Sequence, residues 1–150
     1  MSNALETLRP LIDKKSNISD PHEFQSIINI VFHDHEAKYY DNLHAEIAVE
    51  KIGGPVLMFS GTDDQMWPSL NLADLAMQRF IAHDFPHPHE HVSYAGAGHF
   101  IRFPYSPVIS EIFHPIVKTP MALGGTPEAN QVANLDSWRR CLNFLGKHFG

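Results

Sequence analysis

The sequence is short of several things at once. It has a single cysteine, Cys141, in 150 residues, so no internal disulfide can form. A reducing compartment, the cytoplasm, is the expectation that follows. No apolar run approaches the ~18 residues that a membrane span needs, and no secretory signal is visible. Positive charge is scarce: 11 Lys and Arg stand against 17 Asp and Glu, a net charge of −6 with His neutral. A phosphate backbone needs a basic face, so nucleic acid is not expected as the main partner. A small phosphate-bearing ligand held by a few local cations stays compatible with that charge. There is neither an internal repeat nor a low-complexity tract.

What is there is a globular composition. Hydrophobic residues make up 43% and charged residues 19%, which suits one folded domain with a core. Residues 1–4, Met-Ser-Asn-Ala, read as a vector-derived start and are left out of fold reasoning. Residues 5–150 are then expected to be a single domain cut from something longer. Residues 5–44 read as helical. Leu5, Leu8, Leu11 and Ile12 fall on one helical face. Asp20-Pro21-His22-Glu23 combines a cap, a first-turn proline and a capping-box glutamate. Phe24, Ile27, Ile28, Val31 and Phe32 follow as an apolar stripe, and the pattern restarts through Tyr39, Tyr40 and Leu43.

After Gly53-Gly54 the character changes. Pro55 to Ser60 is a short, unbroken apolar run, as in a strand covered on both faces. A polar loop from Gly61 to Trp67 follows. Pro68 opens a helix carrying Leu72, Leu75, Ala76, Arg79 and Phe80. A second strand is expected at roughly Glu90 to Tyr94, then a loop, Gly96-Ala97-Gly98-His99. Phe100 to Leu123 holds four prolines and little periodicity, so it reads as mostly irregular. Thr126-Pro127-Glu128 starts a final helix, with Val132, Leu135, Trp138, Leu142 and Leu145 expected on its buried face. The alternation of strand, loop and helix predicts an α/β fold with a mostly parallel sheet. Two strands are too few for a robust sheet, a sign that part of the fold lies outside these residues.

In open α/β sheets, functional groups gather in loops at the carboxyl ends of strands. Here one such loop, Gly61 to Pro68, holds Asp63 and Asp64. The next, Ala95 to His99, holds His99. A carboxylate on one loop can fix the tautomer of an imidazole on the other and stabilise the imidazolium formed when it takes a proton. Acid before histidine is also the hydrolase order. Either aspartate alone could be an ordinary turn residue; the two loops together favour a catalytic pair.

The wording of these loops is specific. Val49-Glu50-Lys51-Ile52-Gly53-Gly54-Pro55-Val56-Leu57, then Ser60-Gly61-Thr62-Asp63-Asp64-Gln65-Met66-Trp67-Pro68-Ser69, resembles the C-terminal part of the acyl-CoA thioesterase and bile acid-CoA:amino acid N-acyltransferase family. Ser93 to His99 resembles its histidine loop. Gly124 to Asn130 with Asp136-Ser137-Trp138 resembles its closing helix. The likeness runs from about Ala45 to the C-terminus. It implies a partial α/β-hydrolase fold acting on acyl-CoA thioesters, with water or an amino acid receiving the acyl group. Carried over by position, His99 becomes the general base and Asp64 its orienting acid, with Asp63 as a possible substitute. The family's nucleophile, a Ser or Cys on a Gly-x-Ser-x-Gly-type elbow, has no counterpart here. Ser60 ends the acid strand, and Cys141 falls inside the final helix.

Two other classes stay open: a non-catalytic remnant or binding module of the same fold, and another esterase of that fold. No cofactor is expected. Metal is not expected either, although His33-Asp34-His35 and His83, His87, His89 and His91 are dense clusters; solvation of loops and strand edges accounts for them. Trp67 is expected to pack against the helix it precedes, with an acyl-pocket role open. Arg102 and Lys118 could meet CoA phosphates, with surface solvation the default for both. A sheet cut this way leaves an unpaired edge, so self-association is expected.

Overall fold

The computed structural model describes residues 47–114 and 119–150. The helical segments expected within 5–44, the His33-Asp34-His35 cluster and Lys118 lie outside the described residues.

The first strand, β1, spans Val56–Gly61. Helix α1, Ser69–Ala82, follows it, and β2, His89–Tyr94, returns alongside. The two strands are parallel, in register from Val56↔His89 to Gly61↔Tyr94. Parallel neighbours need a crossover, and α1 supplies it. The architecture is α/β, as the alternation predicted.

Side chains alternate across the two strands. One face carries Met58 and Ser60 opposite His91 and Ser93 and lies under α1. Phe80 of α1 is almost fully buried, its ring 4.4 Å from Phe85 and 5.2 Å from His89. A polar chain crosses this layer. His91 Nδ1 lies 3.2 Å from Asp74 Oδ1 on α1, and its Nε2 lies 2.8 Å from Ser60 Oγ. The carboxylate accepts from Nδ1, which leaves Nε2 to accept the Ser60 hydroxyl. The Arg79–Glu50 ion pair ties α1 to a 3-10 turn, Val49–Lys51, before β1. The opposite face presents Phe59, Val92 and Tyr94, packed with Ala97 and Ala133.

Phe100 to Leu123 departs from expectation. It contains an antiparallel pair, β3 at Glu111–His114 and β4 at Thr119–Ala122. Four-residue strands are too short to show alternation, and Pro120 within β4 hides the pattern further. A proline is tolerated where the ladder does not need its N–H, as at an edge. The pair delivers Leu123, fully buried, between the two loops that follow β1 and β2.

Helix α2, Pro127–Phe149, begins where the cap predicted: Thr126 Oγ1 accepts from the Ala129 amide at 3.1 Å. Such a cap contributes about 1 kcal/mol. Its buried face is not the expected one. Asn130, Ala133, Asn134 and Ser137 are buried, whereas Val132 is 61% exposed, Trp138 43% and Leu142 51%, with Leu135 and Leu145 similar. The reason is what α2 rests on. Ala133 packs on Tyr94 and Ala97, with Phe59 and Val92 beside them, while Asn130 and Asn134 bond loop amides. Periodicity shows that a helix is amphipathic; it does not show which face its neighbours take.

Candidate active site

Because β1 and β2 end level at Gly61 and Tyr94, the loops that leave them start side by side. Backbone bonds then lace them together. Thr62 N–H donates to Tyr94 O at 3.0 Å and Asp63 N–H to Ala97 O at 2.9 Å. Gly96 N–H donates to Thr62 Oγ1 at 2.8 Å. This closeness needs glycine at two points. A Cβ on Gly61 would sit 2.2 Å from Ala97 O, and one on Gly98 would sit 2.2 Å from Gly124 O. A third segment joins them: Leu123 O accepts from His99 N–H at 2.7 Å and from Gln65 N–H at 3.4 Å.

The lacing brings Asp64 and His99 together. His99 Nδ1 lies 3.0 Å from Asp64 Oδ2, with the Asp64 side chain 3% exposed and that of His99 15%. The other carboxylate oxygen, Oδ1, accepts from the amides of Met66 at 2.9 Å and Trp67 at 3.2 Å. Burial pushes the Asp64 carboxyl up. The bond with His99 outweighs it, together with the adjacent Ser69 hydroxyl and the Trp67 and Met66 amides, and holds the group below the ordinary carboxylate range. A carboxylate so fixed accepts the Nδ1–H of His99. Nε2 is then the ring's lone-pair nitrogen, able to take a proton.

Asp63 serves a different purpose. Its Oδ2 accepts from the Gly125 amide at 2.8 Å and its Oδ1 from Gln65 Nε2 at 3.2 Å. It fastens the acid loop to the segment before α2 and does not meet the ring. Trp67 is set edge-on against His99, with ring centroids 4.8 Å apart. The Phe100 ring lies 5.3 Å from that of His99. The Arg102 guanidinium lies over the Phe100 ring, 4.4 Å from its centroid.

The two residues weighed as substitutes for a nucleophile are placed elsewhere. Ser60 is 2% exposed and bonded to His91 under α1. Ser60, His91 and Asp74 make contacts in triad order, but no substrate carbonyl reaches an oxygen sealed beneath a helix. Cys141 is a free, half-buried thiol on α2. Of the dense histidines, His89 Nδ1 pairs with His87 O at 2.9 Å and His91 is engaged as above. Among the described residues no three His, Cys, Asp or Glu side chains converge as a metal site requires. No helix among them is long and apolar enough to cross a membrane.

Sequence reasoning missed two buried asparagines. Asn130 Oδ1 accepts from Gly98 N–H at 2.8 Å, and its Nδ2 donates to Gly124 O at 3.4 Å. Asn134 Oδ1 accepts from Arg102 N–H at 2.5 Å. A helical asparagine reads as surface; the available signal was their i, i+4 spacing beside Ala133 and Ser137.

Comparison with known proteins follows the same lines. Residues 6–150 match the family described as BAAT / Acyl-CoA thioester hydrolase C terminal. The chain is 35% identical over 127 residues to a Mus musculus peroxisomal succinyl-coenzyme A thioesterase, covering 85% of this chain and 30% of that protein. It is 35% identical over 104 residues to Homo sapiens acyl-coenzyme A thioesterase 1, covering 69% and 24%. It is 34% identical over 114 residues to a Mus musculus acyl-coenzyme A amino acid N-acyltransferase 1, covering 76% and 27%. The chain thus spans less than a third of the length of each of these three relatives.

Proposed function

The chain belongs to the BAAT / acyl-CoA thioester hydrolase C-terminal family, and from that premise we propose that it carries the acid and the histidine of an α/β-hydrolase site that cleaves acyl-CoA thioesters. The observation that supports this most is the 3.0 Å bond between His99 Nδ1 and Asp64 Oδ2, made by loops at the carboxyl ends of two adjacent parallel strands.

In this reading a Ser or Cys nucleophile from polypeptide outside these residues attacks the thioester carbonyl. His99 Nε2 takes the nucleophile's proton as the new bond forms. The tetrahedral intermediate collapses, the carbon–sulfur bond breaks, and His99 returns that proton to the departing CoA thiolate. Water or an amino-acid amine then attacks the acyl-enzyme, losing its proton to His99; the bond to the Ser or Cys breaks, His99 returns that proton to the freed nucleophile, and the acyl product leaves. Asp64 keeps Nδ1 protonated and stabilises the imidazolium in both halves. The donors that stabilise the oxyanion also belong to that outside polypeptide. Trp67, edge-on to His99, would border the acyl group.

Two measurements test this. The isolated chain, mixed with an acyl-CoA and a chromogenic thiol reagent, is expected to release no thiol above a His99→Ala control. Fused behind the upstream portion of a longer thioesterase relative, it is expected to support turnover. There His99→Ala should lower kcat by roughly 10²–10⁴-fold, the usual worth of a positioned general base. Turnover by the isolated chain, or a fusion indifferent to His99, would refute the reading. An inactive fusion that folds and binds acyl-CoA would favour the non-catalytic module instead.

A further inference from the structure

Helix α2 buries a polar pair where a core would ordinarily take aliphatic side chains. Asn130 is 2% exposed and Asn134 5%. Unpaired amides at such depth are costly, so their retention implies specific bonds. Those bonds bracket one residue. Asn130 accepts from the amide of Gly98, directly before His99, and Asn134 accepts from that of Arg102, three residues after it. Asn130 also donates to Gly124 O, and Gly124 follows the Leu123 carbonyl that holds the His99 amide. The amides of Asp63, Ala97 and His99 have backbone acceptors, the carbonyls of Ala97, Tyr94 and Leu123; that of Gly98 reaches a side chain.

We infer that Asn130 and Asn134 are positioning residues for His99, clamping its loop from both sides so that the ring meets Asp64 through Nδ1. The inference rests on the reading of His99 as the proton acceptor. Without Oδ1 of Asn130, the Gly98 N–H is left buried and unsatisfied. The Ala97–Gly98 peptide then turns to find water, and it carries the His99 backbone with it. A purely structural role would cost stability and leave the ring chemistry alone, so the ring itself is the readout.

The test is nitrogen-15 NMR of the His99 imidazole in the whole chain. The unsubstituted protein is expected to show the Nδ1–H tautomer. Asn130→Ala should lose that signal in favour of the mixture found in free imidazole, and Asn134→Ala should shift it the same way. Asn130→Asp should restore it, since a carboxylate oxygen can accept the Gly98 N–H as Oδ1 of the amide does. If Asn130→Ala does not fold, Asn134→Ala and Asn130→Asp carry the test. Ser137→Ala is the matched control. Ser137 is buried on the same face, but among the described residues its hydroxyl is bonded to the Asn134 carbonyl and not to the His99 loop, so the ring should not respond. The clamp is overturned if the alanine variants keep the native tautomer, if Asn130→Asp fails to hold it, or if Ser137→Ala shifts it equally. Asp64→Asn separates the two ideas. A ring that responds to Asp64→Asn but not to Asn130→Ala sinks the clamp alone. A ring that responds to Asn130→Ala but not to Asp64→Asn sinks the dyad, and with it the aim of the clamp at Asp64, leaving the asparagines as holders of the loop alone.

Discussion

Asp63 and Asp64 are chemically identical neighbours, and the fold gives them opposite work. Each carboxylate goes where donors await it: Asp64 to the His99 ring and two loop amides, Asp63 to Gly125 and Gln65. What lets donors converge so tightly is the missing side chain at Gly98. A methyl there would lie 2.2 Å from Gly124 O and 2.6 Å from Leu123 O. Both obstacles are backbone, so neither can swing aside. Gly98→Ala is therefore expected to destabilise the chain by about 3 kcal/mol, the upper end of overpacking losses, as read from urea unfolding. A loss under about 0.5 kcal/mol, typical of surface changes, would mean that the loops are not locked. The placing of Asp64 opposite His99 came from the resemblance, carried over position by position; the observed contact between them is the 3.0 Å bond. The clamp was not readable in the sequence, because hydrogen bonds from a helix to a distant loop leave no local pattern.

At the scale of elements, β2 and α2 are joined by a titratable contact. The Tyr94 hydroxyl donates to Asp136 Oδ2 at 3.0 Å. Burial, and after it the Asp136 carboxylate, pushes the Tyr94 phenol up to about 12. Bonds from Arg140 and then Arg139 hold Asp136 down at about 2. The signs are opposite. A phenol raised above its unfolded value of 10.0 stabilises the fold below pH 10 and loses that contribution as pH rises toward 12. A carboxyl lowered from 3.8 stabilises above pH 4 and loses its contribution as pH falls toward 2. Ultraviolet titration should show one of the four tyrosines ionising late. Asp136→Asn should bring that phase earlier but not to 10, because burial persists. An unchanged late phase would count against the contact. The same elements show what sequence can reveal. β1, β2, α1 and the start of α2 were legible because apolar runs, a cap and a first-turn proline are local signals. The β3–β4 pair was hidden by its brevity and by Pro120. The buried face of α2 was hidden because it is set by what the helix rests on.

At the scale of the molecule, the described residues leave apolar surface without a partner among them. The stripe Leu135, Trp138, Leu142, Leu145 and Phe149 repeats at intervals of three and four and is 43–65% exposed. That is the spacing of a coiled-coil seam, on a surface wider than isolated exposed residues would make. Two copies packed antiparallel about Leu142 would bury both stripes, an isologous two-fold contact. The expected outcome is a dimer of the isolated chain by size-exclusion chromatography with light scattering. Leu142→Glu, at the centre of the seam, should return it to a monomer without altering the fold, because Leu142 is 51% exposed already. If Leu142→Glu leaves a dimer intact, the contact lies at the sheet edge, whose unpaired backbone can also recruit a second chain. A monomer that persists at high protein concentration would rule out both surfaces.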